Sequence, residues 1–371
     1  MVNVTETRTG VPWDRRTPFE RWVEDDLKLE LQRGYAAGNF KRTPVRPWHE
    51  RGIGASFYDI IGAETLAGLY VGELAPGTSS NPTKQLYDEV IFIVEGTGST
   101  TVETPKGQIS FEWGPNSLFA LPLNVRYRHF NGAGTDKARL VSANNLTAVM
   151  NMFHDHDFIF ANPCVFRGRM GKPGYFTGEG EMVETQRGRF MWETNFVADV
   201  AAFKLEGWER RGAKSLNMRF CLADGIMHVH TSEMPVGTYK KGHRHGPDFH
   251  VLVIKGEGYS LFWYEGDKEF TRIDWHPGTV FAPPNQMFHQ HFNTSPHPAR
   301  YLPMAMGSLK YPFTEEKRHV FLGVDVDVKQ GGCQIEYDVQ DPRIHKLFLE
   351  ELAKKGVASR MGDYIDESRY R

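Results

Sequence analysis

The chain has 371 residues, of which 40% are hydrophobic and 13% aromatic, enough to build a core in one large or two modest domains. A formal net charge of -2 gives no electrostatic case for gripping a nucleic-acid backbone, and no run approaches the roughly eighteen apolar residues of a membrane span. The cysteines, Cys164, Cys221 and Cys333, are odd in number and far apart, and the opening MVNVTETRTG lacks a basic segment followed by an apolar one. These features lead us to expect a cytoplasmic protein whose partners are neither nucleic acid nor membrane.

In chain order, residues 1–50 read as a helical and extended arm. TPFERWVEDDLKLELQRG, from Thr17, spaces Phe19, Trp22, Leu27 and Leu31 at helical intervals after a Thr–Pro entry, which predicts one N-terminal helix. Residues 51–165 change character: short apolar runs are broken every eight to twelve residues by Gly, Pro or Asn, the pattern of a β-sandwich or barrel. The glycine-rich, charged stretch FRGRMGKPGYFTGEGEM opens a linker with leading strands over 166–205. A second barrel then runs over 206–325. In the closing segment, 326–371, DPRIHKLFLEELAKKG puts Ile344, Leu347, Phe348 and Leu352 on one helical face and stops at Gly356.

The two barrel segments repeat one another. LYDEVIFIVEGTGST, from Leu86, matches GPDFHVLVIKGEGYS, from Gly246, so that Gly96 and Gly98 correspond to Gly256 and Gly258 with an offset of 160. Downstream, Trp113, Pro122 and Asn131 meet Trp275, Pro284 and Asn293 with an offset of 162, the extra residues falling in a longer hairpin around WYEGDKEF.

Of fifteen histidines, nine lie between His228 and His297. The duplication supplies an internal control. Where the second copy has His243, His245 and His289, the first has Thr83, Gln85 and Tyr127, although the glycines and prolines persist. The three histidines are therefore not needed to make a barrel. Residues two apart on a strand face the same way, so His243 and His245 can aim at one point that His289 reaches from a later strand. Three neutral imidazoles suit a borderline divalent metal and leave coordination positions open. His291 shares the face of His289, but its counterpart His129 is retained, which favours packing or a hydrogen bond, with a role beside the metal as the alternative. His250 falls one position from the residue aligned with Glu89, which is Phe249, and should face away from the cavity; Asp248 is the other candidate for a fourth ligand. His228 and His230 read as strand residues that could line the pocket mouth, and HDHDF at His154 as linker. Arg219, Tyr239, Tyr259, Trp263 and Gln286 are candidate cavity or rim residues, and Gln286 is placed with His291 in the catalytic set.

These features resemble the cupin superfamily, and specifically a two-cupin protein, across about residues 60–145 and 220–308. The first cupin motif is matched by Gly237, His243, His245 and Gly256. The second is matched by Gly278, Pro284, His289 and Asn293, with Gln286 in place of the middle glycine. The resemblance implies an all-β fold of two tandem jelly-roll barrels with short flanking helices, the first without metal ligands. The usual glutamate ligand has no acid at its aligned position. HRHGPDFHVLVIKGEG looks like the version in gentisate and salicylate 1,2-dioxygenases, except that their metal is commonly in the first barrel. That likeness implies iron held by His243, His245 and His289, with His291 near bound substrate or oxygen. The expected function is a non-haem Fe(II) dioxygenase acting on a small chelating hydroxylated, aromatic acid, with O2 as co-substrate and a homodimer or homotetramer as assembly. The alternatives are an oxygen-independent decarboxylase, lyase or isomerase using Mn or another divalent ion, and a non-catalytic ligand-binding barrel; Mn, Ni and Zn are the other candidate metals.

Overall fold

A computed structural model describes residues 14–63, 66–170, 174–186, 189–246, 249–311 and 325–370. Each half contributes one large and one small sheet. The first large sheet runs in the order Leu31–Gly34, Ile53–Ile60, Gly68–Leu74, Ala138–Asn144, Glu89–Glu95, Leu118–Ala120 and Phe196–Val197, and it is closed by the small sheet Arg126–Phe130, Gly98–Thr104, Gly107–Trp113. The second large sheet runs Glu181–Gln186, Arg189–Thr194, Leu216–Leu222, Met227–Met234, Ala299–Met306, His250–Lys255, Thr279–Phe281 and Ala36–Asn39. Its small partner is Thr271–Trp275, Gly258–Trp263, Phe288–Asn293, Gly242–His243, Gln334–Ile335. The fold is thus all-β, two tandem jelly-roll barrels with short helices at the ends. No described helix is long and apolar enough to cross a membrane.

Strand parity sorts the side chains. On the large sheets Leu69, Val71, Phe92 and Val141 of the first half pack with Val229, Leu252, Leu302 and Met304 of the second in one core between the barrels. The alternate residues point into each barrel. Two short strands bind the halves further. Ala36–Asn39 completes the second barrel's sheet by pairing with Thr279–Phe281, and Phe196–Val197, offset by 160, completes the first by pairing with Leu118 and Phe119. The arm and the linker therefore each belong in part to the other half's sheet.

The repeated glycine pair has a steric cause. Gly96 and Gly256 turn with φ of 83° and 78°, a left-handed conformation that side chains disfavour. A Cβ on Gly258 would collide with the Phe292 carbonyl and the Trp275 ring, and one on Gly98 with the Phe130 carbonyl and the Trp113 ring.

The N-terminal helix is shorter than its periodicity predicts. Thr17 and Glu20 form a capping box on Pro18–Arg21, a π turn spans Trp22–Asp26, Lys28 takes a φ of 58°, and Leu31–Gly34 leaves as a strand parallel to Phe57–Ile60. Sheet pairing and burial of Leu29 and Leu31 in the aromatic core override helical propensity here. The C-terminal helix forms over Pro342–Lys355, capped by Asp341 and closed by Gly356 at φ 66°, with Ile344, Phe348 and Leu352 packed on the outer face of the second small sheet.

His250 and His129 are buried, and burial pushes their pKa values down from the ordinary 6.5, to about 3 and about 4. The unfolded chain protonates these groups first, so the stability they permit is complete above pH 6.5 and is lost as pH falls from there towards 4, by about 1.4 kcal/mol per pH unit for each group. His250 lies on the face of Leu252 and Ile254, between the sheets. The thermal midpoint of His250→Leu is therefore expected to fall less steeply than that of the parent between pH 6.5 and 4; parallel slopes would contradict this.

Candidate metal centre

His243 ends the two-residue strand Gly242–His243 and pairs in register with His289. His245 lies beyond the strand, in a loop held by the Gln286 N–H, which donates to the His245 carbonyl at 3.0 Å. The three rings nevertheless converge: His243 and His289 are 4.1 Å apart between centroids, His245 and His289 4.6 Å, His243 and His245 5.6 Å. One ring nitrogen from each lies within 4.8 Å of the others, so that the group could hold a metal ion.

Each ring is also oriented by the backbone. Nδ1 of His243 lies 3.1 Å from the Lys241 carbonyl, that of His245 2.8 Å from the Gly246 carbonyl, and that of His289 3.1 Å from the Met287 carbonyl. A carbonyl only accepts, so Nδ1 carries the hydrogen and Nε2 keeps its lone pair. Burial, reinforced by Arg211 and the neighbouring imidazoles, holds His243 well below the ordinary histidine pKa, and burial with His245 and His291 does the same for His289. Neutral imidazoles with fixed tautomers are the donor form a divalent metal needs.

Phe249 stands where the first barrel carries Glu89, its ring 4.6 Å from His245. No carboxylate lies among the described residues lining the cavity, which is walled by Trp208, Val251, Pro283, Tyr301 and Pro303. His250 is directed away from this cavity, and Asp248 lies outside the described residues. His291 lines the cavity. Its Nδ1 is 2.8 Å from the Ser260 hydroxyl, which accepts from the Trp275 indole at 3.0 Å. The hydroxyl hydrogen is thus free to go to Nδ1, leaving an Nε2–H for the cavity. Thr100, His129 and Trp113 repeat the same chain in the first barrel at 2.7 and 2.9 Å. The arrangement therefore belongs to the scaffold, as the retention of His129 suggests.

Several sequence expectations are corrected. Gln286 is exposed on a turn at φ 58° and does not line the cavity. Its backbone N–H, not its side chain, serves the site. Tyr239, Tyr259 and Trp263 sit in the core beneath the C-terminal helix, because inward positions on Gly258–Trp263 belong to Ser260 and Phe262. Arg219 does line the cavity, and so do His228 and His230, with His228 Nε2 2.8 Å from His230 Nδ1. Sequence reading missed Arg189, Trp208, Arg211 and Lys240, although WHERG from Trp48 and WERRG from Trp208 repeat at the same offset of 160.

In the first barrel the equivalent positions are filled. Arg51 donates to the Tyr127 hydroxyl at 2.8 Å, to Gln85 Oε1 at 2.7 Å and to the Tyr87 hydroxyl at 2.8 Å. Glu89 accepts from Tyr70, Gln85 and Ser142. Each partner is satisfied by another, so this interior is a closed polar plug.

No protein-family model matches the chain, and no curated protein does. Solved structures with partial likeness include two mutants of Bacillus subtilis oxalate decarboxylase OxdC. One is the SENS161-164DSSN mutant, at 16% identity and TM-score 0.47, and the other the DEL162-163 mutant, at 14% and 0.46. Each alignment covers 73% of this chain and 76% of the other. Neither the identity nor the superposition is high enough to transfer an activity.

The protein is expected to bind one transition-metal ion per chain, not two. His243→Ala and His289→Ala should lose it, a larger effect than the 10–100-fold, roughly, of outer-sphere changes, while Gln286→Ala should retain it. Element analysis of tag-free protein checks both, and metal retained in the histidine variants would refute the assignment.

Proposed function

We propose that the chain is a divalent-metal-dependent enzyme acting on a small organic acid that chelates the ion, and that its chemistry is oxygen-dependent cleavage with Fe(II). The observation that carries this reading is the convergence of three imidazoles oriented through Nδ1 by backbone carbonyls, with a phenyl ring in the place of a fourth, acidic ligand. His243, His245 and His289 would hold the ion. When bound, such an ion supplies Lewis acidity and gathers substrate oxygens and O2 in one sphere.

The chain's own residues do the rest. Phe249, Val251 and the two prolines exclude water from one side and suit a flat apolar body. The surrounding cations favour an anion, since burying like charges together without one costs several kcal/mol. His291, oriented by Ser260 and Trp275, holds a hydrogen at Nε2 where negative charge growing on a substrate oxygen would accept it.

A second reading, oxygen-independent decarboxylation with Mn(II) or a similar ion, is favoured by a different observation. His228, His230 and Lys240 place proton-bearing groups on the cavity wall, and a decarboxylated carbon must receive a proton.

With Fe(II) and a 2-hydroxy aromatic acid, turnover is expected to consume O2 in step with substrate and to cease under anaerobic conditions. His291→Phe should keep the metal and lower kcat by about 10²–10³. Undiminished anaerobic turnover, above all with Mn(II), would discard the oxygen-dependent reading in favour of the second.

A further inference from the structure

The repeat that marks the barrels also marks an unfilled requirement beside the histidines. Trp48 and Arg51 of the first barrel correspond to Trp208 and Arg211 of the second, and in both the guanidinium lies over the indole, at 4.9 and 5.1 Å from the ring centroid. Arg51 spends its hydrogens on Gln85, Tyr87 and Tyr127. Two of these acceptors, Gln85 and Tyr127, are replaced in the second barrel by His245 and His289, whose Nε2 atoms are committed elsewhere if a metal is held. Among the described residues Arg211 accordingly keeps one buried nitrogen, Nη1, with no hydrogen-bond partner, while its Nη2 lies 3.4 Å from Asp325.

Lys240 adds to the imbalance. It stands where the first barrel has Ser80 and is only 2% exposed, as is Arg211. Among the described residues its Nζ makes no hydrogen bond or ion pair. It faces the rings of Tyr301 at 5.0 Å and Trp208 at 5.8 Å. Burial, with Arg211 beside it, drives the Lys240 pKa well below its ordinary value, the direction expected of an ammonium whose counter-charge has yet to arrive. Arg219 and Arg189 line the same wall, and burial with mutual repulsion pushes Arg219 down to about 9. Among the described residues, Asp325 lies 3.4 Å from both Arg189 and Arg211.

We propose that Arg211 and Lys240 form a carboxylate subsite beside the histidine centre, so that the substrate is a dianion with its chelating end at the histidines and a second carboxylate between the guanidinium and the ammonium. The subsite deepens the function proposed above and rests on it for the position of the chelating end. A planar carboxylate matches the guanidinium fork. The replacement of the first barrel's internal acceptors explains why the ligand must bring its own.

Calorimetric titration with salicylate, and with 4-hydroxyisophthalate, which adds one carboxylate to the same chelating head, tests this in metal-stripped and Zn(II)-loaded protein. The dianion is expected to bind at least about tenfold tighter, the worth of one charge-assisted hydrogen-bond pair. Lys240→Met should abolish that preference and Lys240→Arg should restore it. Arg211→Gln should also remove it, provided the variant keeps its far-ultraviolet spectrum; Lys240→Met serves alone if it does not. A preference present in metal-stripped protein with no gain from Zn(II) would support the subsite and count against the metal centre. Equal affinities, no binding of either acid, or a preference that survives Lys240→Met would overturn the proposal.

Discussion

Three backbone carbonyls govern this molecule's chemistry. Those of Lys241, Gly246 and Met287 each take the Nδ1 hydrogen of a histidine, and so decide which nitrogen can act as a donor. Without that constraint three buried imidazoles would sample both tautomers, and burial alone would make them inert. With it, every free lone pair is on Nε2, and the register that sets His243 opposite His289 brings those atoms together. The cavity's cations help by keeping the His243 and His289 rings unprotonated, so the charge proposed to draw an anionic substrate also favours the form that could hold a metal.

The two barrels are one scaffold with opposite interiors. Both keep the glycine turn, the Trp–hydroxyl–His chain and the Trp–Arg pair. In the first, Arg51, Glu89, Gln85, Tyr127 and Tyr70 satisfy one another, and breaking such a network leaves a buried charge unpaired at a cost of about 3–5 kcal/mol. In the second, histidines and Phe249 replace the acceptors and the acid, and the cations are left facing a cavity. The exchanged strands Ala36–Asn39 and Phe196–Val197 lock the plugged barrel to the open one. This fits a division in which one half contributes rigidity and the other chemistry.

Much of this was legible in the sequence because it rests on local rules. Gly256 and Gly258 announce a turn that only glycine fits, and the loss of the three histidines from the first copy separates function from scaffold. Counting from the glycine turn placed Phe249, not His250, on the cavity side. What escaped depends on contacts distant in sequence. Leu27 and Leu31 have helical spacing, yet a parallel strand at Phe57–Ile60 claims the segment. Tyr239, Tyr259 and Trp263 face the C-terminal helix, which no local pattern joins to them. No local pattern singles out Arg211 or Lys240, and only the WHERG–WERRG correspondence could have drawn attention to the first of them.

The convergence of three Nε2 atoms is tested most directly by crystals of the Co(II)-loaded protein, with anomalous scattering recorded at the metal edge. One peak per chain is expected, within about 2.0–2.2 Å of Nε2 of His243, His245 and His289, and none in the first barrel. A peak bound through Nδ1, a peak at other residues, or no peak in the second barrel would contradict it.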